Sequence, residues 1–160
     1  MTHPSINVAL RVALAIMVLR LILFFVNADF PYQDETFLFI LLTSFPALVL
    51  YGIWPREKKS SFKDDALMGM RLTLVFSIAL ALFIYAFYAF VDQDYFPNMQ
   101  DMIVARELAA NPDVVEEELR TGVTNFFSVR NFSVMAVLLF LVMSAFYSVL
   151  FSVVKRLVIK

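Results

Sequence analysis

Apolar residues in this 160-residue chain gather into four long runs, residues 6–26, 36–54, 72–91 and 132–154, separated by polar connections. Each run has the roughly 19–23 residues a helix needs to cross ~30 Å of hydrocarbon at about 1.5 Å per residue. A helix in a soluble core keeps a polar face, whereas these runs are apolar all round. The pattern predicts an all-α, polytopic membrane protein. Its expected architecture is a four-transmembrane-helix bundle with a short helical extramembrane cap between helices 3 and 4, forming a single membrane domain over residues 1–160.

The connections differ in kind. Residues 27–35 form a tight link, in which Pro31 cannot extend a helix and Tyr32 suits the membrane interface. The next link is basic, and Tyr51 and Trp54 stand before it where an aromatic belt belongs. Ser61, followed by Phe62-Lys63-Asp64-Asp65, reads as a helix N-cap with acids in the first turn, so the third helix is expected to start near Phe62. Residues 92–131 are too many for a structureless loop. Residues 98–110 read as one helix, with Met99, Met102, Ile103 and Arg106 on one side. Asn111-Pro112-Asp113 reads as the start of a second, running through Leu119 to Gly122.

Composition sharpens the picture. The chain is 61% hydrophobic and 17% charged, against roughly half and a quarter in soluble domains. Its net charge of −1 conceals a separation. Arg11, Arg56, Lys58, Lys59, Lys63, Arg71, Lys155, Arg156 and Lys160 fall on one side of the expected membrane, opposed by Glu57, Asp64 and Asp65. The other side carries Asp29, Asp34, Glu35, Asp92, Asp94, Asp101, Glu107, Asp113, Glu116, Glu117 and Glu118 against Arg106, Arg120 and Arg130. Basic loops resist translocation, so the expectation is a multi-pass protein of the bacterial inner (cytoplasmic) membrane with both termini cytoplasmic. The first run does not read as a cleaved signal, because Arg11 and Arg20 interrupt it.

In this layout the chain resembles the small four-span bacterial inner-membrane proteins catalogued only as a domain of unknown function. The features that carry the resemblance are Ser61-Phe62-Lys63 leading into Gly69-Met70-Arg71, the long acidic connection after the third run, and the last run ending in Lys155-Arg156. It covers the whole length and implies no reaction, so no catalytic residue is carried over.

Within the runs, Arg20 is the residue with most chemistry, because a guanidinium stays charged and is costly in hydrocarbon. Two readings are open. Arg20 forms an ion pair with, or snorkels toward, an acid at an outer helix end (Asp29, Asp34, Glu35, Asp92 or Asp94), or it faces the bundle interior and holds an anionic ligand. Pro46 lies mid-run and should kink its helix, with Thr43 and Ser44 satisfying freed backbone groups. Ser144, Ser148 and Ser152 form a small-residue stripe suited to close helix packing, within the chain or in a homo-oligomer. Ser77 with Ala81 and Ala9 with Ala13 repeat the spacing.

Other chemistry is excluded by residue type. Cysteine is absent and His3 is the only histidine, so no zinc–thiolate centre, His cluster or Ser–His relay can form within one chain. The glycines, Gly52, Gly69 and Gly122, make no phosphate loop. Consecutive acids at 116–118 point to different helix faces and do not converge on calcium. No cofactor, metal or catalytic residue is expected, and the protein is read as no enzyme. The basic residues suit anionic lipid headgroups rather than nucleic acid. The expected partners are membrane lipid and a membrane protein or a second copy. By elimination the reading is a structural or accessory membrane protein that binds a partner through its acidic outer cap or basic inner face. The alternative is a small oligomeric transporter or channel using Arg20 and the Pro46 kink.

Overall fold

The computed structural model describes residues 4–26, 33–54 and 60–158, with side chains described for residues 6–26, 39–54 and 60–158. Among these the chain is all-helical: α1 (Pro4–Phe25), α2 (Gln33–Ile53), α3 (Phe62–Phe90), α4 (Tyr95–Ala110), α5 (Glu116–Phe126) and α6 (Val129–Val158). Three stretches are long and apolar enough to cross a membrane: Ile6–Phe25, Phe62–Phe90 and Val129–Val158. In α2 the apolar part, Phe39–Ile53, is shorter. Gln33, Asp34 and Glu35 open that helix. The membrane-protein character expected from the sequence is therefore present in three helices, with a fourth, shorter apolar helix beside them in the sequence.

The chain divides into two compact units, residues 1–80 with 138–160, and residues 81–137. In the first unit, α1 packs on α2 and buries Ala9, Ala13 and Ile16. These recur at three and four residues, one helical face. Phe45 of α2 meets Phe76 of α3 edge to face, with ring centroids 5.2 Å apart. It also touches Phe140 of α6, at 5.3 Å. Gly52 lies so close to Leu72 that a Cβ there would collide with the leucine side chain.

Two helices of this unit expose apolar ridges, and one of them buries a polar face. Leu10, Leu14, Val18 and Ile22 form an exposed ridge on α1, as do Val142, Phe146, Val149 and Val153 on α6. On the opposite face of α6 the buried residues are Ser144, Ser148, Ser152 and Lys155. Water would drive the apolar ridge inward and solvate the serines and the lysine. Lipid removes that drive and rewards polar contacts and close backbone approach between helices.

In the second unit an aromatic cluster forms where α3 ends and α4 begins. Tyr88 contacts Tyr95, Phe96 and Phe132, and Phe96 contacts Phe132. Helices α4 and α5 pack as a hairpin over buried Val104 and Val123. The side-chain amide of Gln100 donates to the Phe127 carbonyl, 2.6 Å, holding the end of α5.

Several expected boundaries shift. The third helix does begin at Phe62 under a Ser61 cap: the Asp64 amide donates to Ser61 Oγ (3.1 Å), and that hydroxyl donates to the Asp64 carboxylate (2.7 Å). Helix α4 starts earlier than residue 98, at Tyr95, because Phe96 is buried and anchors its first turn. Of the residues expected on one side of it, Met102 is exposed, and the buried residue of its middle turns is Val104. Helix α5 starts at Glu116 rather than Pro112 and runs through Gly122 to Phe126. Buried Val123 gives that last turn its packing, and open space around Gly122 leaves nothing there to end the helix. Proline 46 lies inside the continuous α2. The Thr43 hydroxyl bonds the Phe39 and Ile40 carbonyls and the Ser44 hydroxyl bonds that of Ile40. These lie ahead of the Leu42 carbonyl that Pro46 cannot serve.

Candidate functional site: a buried ion pair where three helix ends meet

The last turn of α6, the first turn of α3 and the final residue of α2 come together in the first unit. Lys155 and Asp65 form an ion pair there, Nζ to Oδ2 3.2 Å, with side chains only 4% and 1% exposed. The ammonium also donates to the Ile53 carbonyl at 3.0 Å, to Ser60 Oγ at 3.2 Å and to Asp65 Oδ1 at 3.3 Å. The Ser60 hydroxyl donates to Asp65 Oδ1 at 2.8 Å. Outside this group, exposed Arg156 donates to the Ser60 carbonyl at 2.9 Å and lies over the Phe62 ring.

Local sequence explains the placement. The Ser61 cap commits Asp64 to the exposed side of the first turn, and the next residue, Asp65, then points inward. Carboxylates are favoured at helix N-termini and cations at C-termini, so both members suit their own helix dipoles. Ile53 ends α2, and its carbonyl is one of those a helix terminus leaves without an intrahelical donor. Lys155 supplies the donor from a helix about a hundred residues later.

A polar seam runs from this junction between α3 and α6. Asp65, Gly69, Thr73 and Ser77 recur every four residues on α3; Asp65 meets Lys155, Gly69 meets Ser148 and Thr73 meets Ser144 on α6. The helices are antiparallel here: Gly69 faces Ser148, and the Thr73 and Ser144 hydroxyls share a hydrogen bond. A Cβ on Gly69 would lie 2.7 Å from Ser148 Oγ and 3.2 Å from Ile53 Cδ1. Most hydroxyls also serve their own helix: Thr73 donates to the Gly69 carbonyl, Ser77 to that of Thr73 and Ser152 to that of Ser148. Ser148 Oγ is fully buried without a hydrogen-bond partner.

The expected site residues fall as follows. Arg20 is 6% exposed and continues the Ala9–Ala13–Ile16 face, so it points into the first unit. It is not without a partner. Of the acids expected near it, Asp29 and the side chains of Asp34 and Glu35 lie outside the described residues. Asp92 and Asp94 belong to the second unit, Asp92 half-buried and Asp94 exposed. Ser144, Ser148 and Ser152 are buried within the chain, with Ser144 and Ser148 against α3. Sequence reasoning missed the ion pair itself, counting Lys155 as a topogenic charge and Asp65 as an acid of the cap. The available signal was spacing. Lys155 follows Ser152 by three residues on the serine stripe, and Asp65 precedes Gly69 by four on the facing stripe.

The second unit is charged on its surface. Arg120 pairs with Asp101 at 2.7 Å and with Glu116 at 3.5 Å, all exposed. The hydrogen bond to Asp101 and that carboxylate's charge, with a contribution from Glu116, hold the Arg120 guanidinium above its usual range.

The sequence pattern of a family described as "Protein of unknown function (DUF4199)" matches residues 8–160, nearly the whole chain. The chain belongs to that family. No curated protein and no solved structure matches it. Membership of DUF4199 agrees with the resemblance drawn from the sequence, and it assigns neither substrate nor partner. Among the described residues no group of three or more His, Cys, Asp or Glu side chains could hold a metal ion.

Proposed function

We propose that this DUF4199 protein is a four-span accessory protein of the bacterial inner membrane, with both termini cytoplasmic, that binds a membrane-protein partner through an acidic outer cap formed by α4 and α5. The observation that carries the reading is the surface of those helices. Met102, Val114, Val115 and Phe126 are exposed there beside the exposed acids Asp101, Glu116, Glu117 and Glu118. Apolar side chains set among mainly acidic residues suit a partner with an apolar patch and a basic rim. Support for a fourth span comes from α2. Its end, Ile53, lies beside the start of α3 through Lys155, so the two helices leave one point in opposite chain directions. Lys155 and Arg156 meet that corner in space and Lys63 follows it in the chain, which suits the cytoplasmic face. No enzymatic role is proposed.

The buried charges Arg20, Asp65 and Lys155 favour a second reading, a small transporter. The close fit of Gly69 against Ser148 opposes it, because the seam has no room for a passing solute. Purification from mild detergent tests the choice. The accessory reading expects a reproducible partner that is lost in Val115→Glu and Phe126→Glu while membrane insertion is unchanged. Capture of the chain alone, with solute flux in liposomes, would overturn it.

A further inference from the structure

The surroundings of the Lys155 ammonium have the character of an ion's coordination shell. An ammonium has three N–H donors. Four oxygens nevertheless surround Nζ at 3.0–3.3 Å: the Ile53 carbonyl, Ser60 Oγ and both Asp65 oxygens. They come from the end of α2, the α2–α3 link and the first turn of α3. All are hard oxygen donors of the kinds that bind alkali and alkaline-earth cations. Together they carry one full charge, shared by the two Asp65 oxygens, so the set balances a single positive charge. A divalent ion would remain half compensated in a buried place, at high cost.

The Ser60 and Asp65 oxygens are held by contacts that do not pass through Lys155. Ser60 Oγ donates to Asp65 Oδ1, Arg156 fixes the Ser60 backbone through its carbonyl, and the Ser61 cap fixes the turn that carries Asp65. The shell therefore outlasts removal of the ammonium.

We propose that Ile53, Ser60 and Asp65 form a monovalent-cation site that the chain fills with its own tethered cation, the Lys155 ammonium. The natural ligand class of the bare site is an alkali cation, with K⁺ nearest to an ammonium in size. Lys155 makes the junction independent of ionic composition and ties the end of α6 to the α2–α3 corner. This inference does not depend on the accessory role.

Lys155→Met tests it, because methionine keeps the length of the side chain to Cε and deletes only the ammonium. Thermal unfolding of the full chain in mild detergent is followed in KCl, NaCl and choline chloride at equal ionic strength. In Lys155→Met, K⁺ or Na⁺ is expected to raise the midpoint by about 3 °C over choline when the salt is well above its dissociation constant. The wild type and Lys155→Met/Asp65→Asn are expected to show no difference between salts. Equal midpoints in all three salts for Lys155→Met would overturn the proposal, as would the same shift in the wild type. If Lys155→Met fails to fold in choline, folding restored by KCl or NaCl supports the site. Should neither salt restore it, Lys155→Ala is purified with ethylammonium chloride; recovery there supports the cage and continued failure overturns it.

Discussion

Replacing Asp65 with Ala strands the Lys155 ammonium in a place from which water is excluded. At 3.2 Å the attraction between the two charges is about 5 kcal/mol for an effective dielectric constant of ~20. Removing each ion from water costs several kcal/mol, so the intact pair contributes little net stability. The asymmetry appears when one member is deleted. The Ile53 carbonyl and Ser60 hydroxyl remain as acceptors, but no countercharge does, and the expected loss is about 3–5 kcal/mol. Adding Lys155→Met to Asp65→Ala removes the stranded charge and should restore a large part of that loss, giving strong non-additivity. Trp54, the only tryptophan, directly follows Ile53 and reports on this corner by fluorescence during denaturant titration in detergent. A loss of under about 1 kcal/mol for Asp65→Ala, the scale of an exposed pair, would refute the argument. So would simple additivity in the double variant.

Other outcomes follow from the same structure. Gly69→Ala inserts a methyl where only 2.7 Å separates it from Ser148 Oγ, and should cost about 1–3 kcal/mol in detergent unfolding; Ser148→Ala in the same chain should recover part of it. Ser148→Ala alone removes a buried hydroxyl that lacks a partner, so unfolding is expected to be unchanged or stabilised by up to ~1 kcal/mol. Arg120→Ala breaks an exposed pair and should leave the unfolding curve of the whole protein where it was. For topology, Glu117→Cys should react with an impermeant thiol reagent added to intact spheroplasts, and Lys63→Cys only after lysis; the reverse pattern would sink the proposed orientation.

Features set by neighbouring residues were legible in the sequence. The start of α3 was found because its signal is local, a serine three residues before an acid, and the structure makes both hydrogen bonds of that cap. Helix α5 was misplaced because Asn111-Pro112-Asp113 has the form of a start signal, whereas the helix is settled by Val123 packing and by Gln100 reaching Phe127. The serine stripe was legible as a packing surface, but not its partner. Asp65 and Lys155 are 90 positions apart, and nothing local to either distinguishes a buried charge from the solvated or topogenic charges around it. Lys63 and Arg156, close neighbours of these two in sequence, are indeed exposed.

The placement of Lys155 in the final turn of the last long helix also bears on biogenesis. Translation completes Asp65 and the start of α3 some 90 residues before Lys155 exists. During that interval the ammonium that joins this corner to α6 is missing. The corner therefore shuts only when α6 arrives, so that a late helix fastens the end of α2 to the start of α3.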